Sequence, residues 1–187
     1  VKGNALFAGL LLYLFSSVAT AVESTKQRIS FPMGTPEKPV VIEFYGAIYG
    51  SAKAVEVSAS SNSGIARFIN RVINANASKD KQAMLAMWSD RDKSDIDQLV
   101  SRPDLLEKNS ALFRNIRSSK LVGYMEYGKY VICYVKHDIQ GMPKPYLKTY
   151  PLVLKGEDYL LTNDLSDDFV FSKLSYNLGE YLWSKGL

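Results

Sequence analysis

The hydrophobic period of this chain changes once, and that change limits the folds open to it. Between Ile65 and Ile116 apolar residues recur at three and four positions. Ile65, Phe68, Ile69, Val72 and Ile73 form one set; Met84, Leu85, Met87 and Trp88 a second; Ile96, Leu99 and Val100 a third; Leu105, Leu106, Leu112, Phe113 and Ile116 a fourth. Each set marks one face of a helix. From Lys120 to Thr162 the chain is instead rich in β-branched and aromatic residues and is punctuated by Gly128-Lys129, by 140–144 and by Gly156-Glu157. A helical block followed by an antiparallel meander predicts an α+β fold with one sheet face packed on the helices.

Local signals set the expected boundaries. Residues 74–77 end the first helix, and Ser78 is the expected N-cap of the second, with Asp80 near its positive dipole end. A third helix is expected from Ser94, broken by Pro103. Glycine first in a two-residue loop suits a type II′ hairpin, so Gly128-Lys129 pairs Tyr127 with Tyr130, Met125 with Ile132 and Gly123 with Tyr134. That register puts Met125, Tyr127, Tyr130, Ile132 and Tyr134 on one face. It puts Val122, Tyr124, Glu126, Val131, Cys133, Val135 and His137 on the other. A third strand is expected over 146–155, a fourth over 158–162, and a last strand followed by a helix within 169–183. Ahead of the helices, 40–45 reads as a strand and 53–59 as a second, with Gly46 and Gly50 in a turn between them. Pro32, Gly34, Pro36 and Pro39 predict a flexible lead-in over 22–38.

Residues 1–21 read as a signal segment. Lys2 precedes an uncharged stretch, 5–22, with a leucine-rich centre and an Ala19-Thr20-Ala21 end. A basic start, a short apolar centre and an A-x-A site are the parts of a cleavable secretory signal. A retained membrane anchor is the alternative, and the intact mass of the exported protein separates the two. Either way the rest of the chain is expected outside the cytoplasm, periplasmic or secreted, and a bacterial envelope suits the signal style. The expected organisation is therefore a signal peptide over 1–21, an extension with a strand pair over 22–63, and an α+β domain over 64–187. Removing 21 residues from 187 leaves 166, enough for one hydrophobic core. The net charge is +4, with bases and acids interleaved, which argues against a nucleic-acid partner. Cys133 is the only cysteine, so no intramolecular disulfide supports the fold.

The chemistry-bearing motifs are sparse. With one histidine and one cysteine, a His/Cys zinc site is excluded, and no metal or cofactor is expected. Ser78-Lys79-Asp80-Lys81 fits S-x-x-K, but neither S-D-N nor K-T-G accompanies it, so a helix cap with solvated lysines is the better reading. Asp90, Asp92, Asp95 and Asp97 lie close together, yet Asp95 stands at the EF-hand glycine position and Ser101 at the closing glutamate, which favours a solvated helix start. Asp164, Asp167 and Asp168 form a second acidic loop. Asn76-Ala77-Ser78 fits the N-glycosylation acceptor. Cys133, in phase with Val131 and Val135, reads as a small buried hydrophobe.

Tyrosine is the unusual residue: there are 12, against eight phenylalanines. Tyr124, Tyr127, Tyr130, Tyr134, Tyr146 and Tyr150 all fall in the meander. Tyrosine suits a surface that is apolar yet needs hydroxyls, and these six are the candidate ligand-binding residues. It also suits strands through β-propensity alone. His137, Glu126 and Tyr124 are the catalytic candidates, because the hairpin register places all three on one face.

The run from Ile65 to Trp88 (a helix, a polar break at 74–80, and a shorter helix ending in an aromatic) resembles the opening of NTF2-like proteins, and the meander after it extends the resemblance over about 64–172. The resemblance implies a cystatin-like fold in which a curved sheet wraps helices and its concave face holds any pocket. It leaves 40–59 unexplained. The superfamily includes isomerases, dehydratases, transport factors and non-catalytic modules, so fold alone does not name an activity. The expected function is a non-enzymatic exported module that binds a small apolar ligand or a protein partner through the tyrosine-rich sheet. The alternatives are an isomerase- or dehydratase-like enzyme and, if residues 1–22 are retained, a membrane-tethered scaffold subunit. A homodimer fits any of these.

Overall fold

The computed structural model describes residues 27–35, 38–49 and 53–175. The expected signal segment lies outside them. In chain order the elements are β1 (Gln27–Thr35), β2 (Lys38–Ile48), β3 (Val55–Glu56), α1 (Gly64–Ser78), α2 (Lys81–Ala86), α3 (Lys93–Val100), α4 (Pro103–Arg114), β4 (Ile116–Tyr127), β5 (Tyr130–Ile139), β6 (Tyr146–Lys155) and β7 (Asp158–Leu161). Residues 169–175 are helical. The strands form one antiparallel sheet in the order β1-β2-β4-β5-β6-β7, and β3 pairs with β4. The fold is α+β.

The hairpin expected at Gly128-Lys129 is present. Tyr127 pairs with Tyr130, Met125 with Ile132 and Gly123 with Tyr134, and Gly128 takes φ 58°. One detail differs. A β-bulge lies between Leu121 and Gly123. The extra residue reverses the side-chain phase of the strand before it. Leu121 therefore turns toward the helices, and Val122, expected beside Tyr124, packs on the opposite face with Met125, Ile132 and Tyr134.

Other boundaries depart from expectation. Ile116, expected on the fourth helix, begins strand β4 because α4 ends at Arg114. The lead-in expected over 22–38 contains strand β1, in which Pro32 pairs with Val41. Strand β1 is at the sheet's edge, where a residue without an N–H is tolerated. Helix α1 runs on through Ser78, whose hydroxyl donates to the Asn74 carbonyl at 2.8 Å. Asp80 is the N-cap of α2 instead, accepting from the Ala83 N–H at 3.0 Å. The strand expected at the start of 169–183 is helix, begun by Asp168, whose carboxylate accepts from the Phe171 N–H at 2.7 Å. Pro103 occupies the first turn of α4, where its missing N–H costs nothing.

Both sheet faces are covered. Phe68, Ile69 and Val72 of α1 pack on Leu121, Cys133, Val135 and Leu152. Ala75, Met84, Ile96, Val100 and Leu106 join the helices to one another. On the opposite face Phe44, Met125, Ile132 and Tyr134 meet Leu165 and Leu174 of the carboxy-terminal segment.

Gly46 joins the amino-terminal strands to the meander. It lies inside β2, not in a turn, and pairs with Met125. A Cβ added there would sit 2.1 Å from the Tyr124 carbonyl oxygen and 2.9 Å from Met125 Cα. Backbone cannot yield as a side-chain tip can. Gly46→Ala is expected to cost about 3 kcal/mol, read as a lower urea midpoint; an unchanged midpoint would show that β2 and β4 do not approach this closely.

Candidate functional site

A pocket of about 390 Å³ lies between the helices and one end of the sheet. Its apolar wall comes from Val72 of α1, Met84 of α2, Ile96 and Leu99 of α3 and Phe113 of α4. Strand β6 contributes Lys148 and Tyr150, and Leu161 with Thr162 closes the end of β7. Trp88 is held at the rim by a short bridge. Ser89 N–H donates to the Leu161 carbonyl at 2.9 Å, and Leu161 N–H donates to the Met87 carbonyl at 2.8 Å. Asn109 of α4 donates through Nδ2 to Asn76 Oδ1 at 2.6 Å, which fixes two carboxamides in the lining. Asn76 Nδ2, the atom of the N-glycosylation motif, is itself donated to the Val72 carbonyl.

The strand period explains how β6 supplies both polar groups. Tyr150 pairs with Cys133 and Lys148 with Val135, and Cys133 and Val135 both face the helices. Alternation therefore sends Lys148 inward in phase with Tyr150 and Leu152. Lys148 Nζ stands 5.2 Å from the Phe113 ring centroid and 5.0 Å from that of Tyr150, a position that favours a cation. Burial holds its pKa below the usual lysine value. Among the described residues no carboxylate, carbonyl or hydroxyl pairs with this ammonium.

Beside it, His137 is fully buried in a line of side chains. Ser119 Oγ is 2.6 Å from Nδ1, and the Tyr150 hydroxyl is 2.9 Å from Nε2. One hydroxyl donates to the neutral ring and the other accepts from it. Burial first, and the Lys148 charge second, lower the His137 pKa from its ordinary 6.5 to about 4. Burial also raises the Tyr150 hydroxyl well above its usual value. Cys133 lies on the same face of the sheet; its thiol points to the Tyr150 carbonyl at 3.4 Å, and burial pushes its pKa up.

The structure does not bring the three catalytic candidates together. Tyr124 pairs with Cys133 and Glu126 with Val131, so four and six residues of β5 separate them from His137. Six residues of strand span roughly 20 Å. The six tyrosines are divided as well. Tyr124 and Tyr150 lie on the helix side of the sheet, and of the six only Tyr150 lines this pocket. Tyr127 and Tyr130 lie on the opposite face and donate to Asp168 and Asp164, each at 3.0 Å. Tyr134 is wholly buried on that face, its hydroxyl unpartnered among the described residues. Tyr146 is 46 % exposed at the start of β6.

The acidic clusters are tied up locally. Asp92 is buried and accepts from Ser89 Oγ at 2.5 Å and from the Asn163 N–H at 3.1 Å, while Asp90 pairs with Lys93. Lys81 of the S-x-x-K motif is exposed. Lys148, Asn76 and Asn109 were not among the sequence candidates. The signal for Lys148 was present: a lysine in the inward phase of a strand between Tyr146 and Tyr150 is a charge in the wrong place for a plain core.

Comparison with known proteins found no matching family model, no matching curated protein and no matching solved structure.

The His137 geometry fixes a pH response. In the unfolded chain the ring takes a proton near 6.5; in the folded protein it does so only near 4. Between those values the unfolded state binds more protons, so stability falls as pH falls. Above 6.5 this group contributes no slope. The loss amounts to about 3 kcal/mol by pH 4. Urea unfolding from pH 7 to pH 4 should show His137→Gln with a shallower decline than wild type; parallel declines would contradict the buried neutral ring.

Proposed function

We propose that the chain is an exported, non-enzymatic binding module of NTF2-like architecture, and that its ligand is a small, largely apolar molecule held between the helices and the sheet. The observation that carries this reading is the pocket itself. Its volume, about 390 Å³, and its apolar lining interrupted by a few fixed polar groups have the character of small-molecule sites. A helical block followed by an antiparallel meander, with a pocket between the two layers, supports the NTF2-like reading.

The pocket floor favours binding over catalysis. A general base needs a lone pair or proton free to reach a substrate. Both ring nitrogens of His137 are already occupied, and the ring is buried beneath Tyr150. Glu126 lies at the far end of the hairpin, beside the Gly128 turn. The tyrosines of the opposite face serve the fold: Tyr127 and Tyr130 bind the loop that begins the carboxy-terminal helical segment.

Leu99 gives a direct test, because it is 38 % exposed and lines the pocket, so enlarging it fills space at little cost to the core. Calorimetric titration with the neutral probe 1-naphthaleneacetamide should show one site per chain in the wild type. Leu99→Trp should weaken that binding at least about tenfold while leaving the unfolding midpoint within about 0.5 kcal/mol of wild type. Undiminished binding by a folded Leu99→Trp would place the probe elsewhere and remove the reading.

A further inference from the structure

Lys148 is the one charged side chain in the pocket lining. It is half-buried, and a charge partly withdrawn from water is stabilised by a counter-charge. Two acids of the helical block have other partners. Glu107 of α4 is held by Lys79 and by Arg114. Asp92, next to the Asn163 end of the pocket, is held by Ser89 and a backbone N–H. Lys148 has the rings of Phe113 and Tyr150 beside it, but its three N–H donors have no acceptor among the described residues. His137 does not supply one, since its lone pair and N–H are taken up by Tyr150 and Ser119. A lysine kept for solubility would reach out from the outer face of β6. This one occupies the inward phase, among the residues that line the cavity.

We propose that Lys148 is the head-group anchor of this site, and that the ligand is a small apolar monocarboxylate. Its carboxylate accepts from the Lys148 ammonium, and its apolar body lies against Met84, Trp88 and Phe113. A single ammonium with no second base in the lining matches one negative charge rather than a dianion such as phosphate. This inference rests on the pocket being a binding site and adds the chemical class of what it holds. The bound carboxylate would also supply the missing counter-ion, so ligand binding raises the lysine pKa.

The test uses three probes of one shape in calorimetric titrations of the full chain at pH 7: 1-naphthaleneacetate, 1-naphthaleneacetamide and 2-(1-naphthyl)ethylamine. The acetate is expected to bind at least about tenfold tighter than the amide, and the amine weakest. Lys148→Met should reduce the preference for acetate over amide to within about twofold, while Lys148→Arg should retain it. Equal binding of acetate and amide, tighter binding of the amine, or a preference that survives in Lys148→Met overturns the anion anchor but leaves the pocket as an apolar site. Binding of none of the three overturns both readings. Should Lys148→Met fail to fold, the wild-type protein still decides. The Lys148 εCH₂ resonances should shift with added acetate and not with amide, and identical responses to the two would refute the anchor.

Discussion

Strand β4 is hydrogen-bonded to β2 and β3 along one edge and to β5 along the other, so its register against β5 decides what the sheet presents to the helices. The two-residue turn at Gly128-Lys129 sets that register from one end, and the bulge between Leu121 and Gly123 resets the phase toward the other. The consequences run across the sheet. Cys133, Val135 and His137 face the helices, and β6, paired to β5 without a shift, must then face them with Lys148, Tyr150 and Leu152. A slip of one residue would exchange these for Thr149, Pro151 and the Tyr134 ring, and would move the only inward lysine of β6 to the outer face.

That arrangement puts two polar groups on the helix-facing side of the sheet with opposite fates, Lys148 in the pocket lining and His137 behind Tyr150. His137 is satisfied on both sides by hydroxyls and stays neutral, so it adds specificity to the packing without adding charge. Lys148 is a charge with only aromatic faces for company. Cation–π contacts of this kind return about 0.5–2 kcal/mol, and the carboxylate proposed for the ligand would add a counter-charge. The remainder of the fold serves to hold this geometry: Trp88 is pinned by its bridge to Leu161, Asn76 by Asn109, and the far face of the sheet by the Tyr127 and Tyr130 contacts to the 164–168 loop.

Much of the architecture was legible because it is written in periodicity. The change of period from helices to strands, the hairpin register and the extent of β6 all follow from local patterns that tertiary packing reinforces. Strand β1 was hidden because its proline and glycine content reads as loop; only its position at the sheet edge, a non-local fact, makes Pro32 acceptable. The bulge at Leu121 has no residue signature and altered one side chain's face. Counting tyrosines picked out the strands of the meander but not which face each ring takes, because residue type carries no information about which face a strand turns inward. Phase does, and a lysine in the buried phase of β6 was the more informative oddity.

A ligand bound as proposed lies in the helix–sheet pocket beside β6, not on the face that carries Tyr127 and Tyr130. Intermolecular nuclear Overhauser effects from bound 1-naphthaleneacetamide measure this directly. Contacts to Met84, Trp88 and Phe113 protons and none to Tyr127 or Tyr130 are expected. Contacts to Tyr127 and Tyr130, with the pocket residues silent, would contradict that placement.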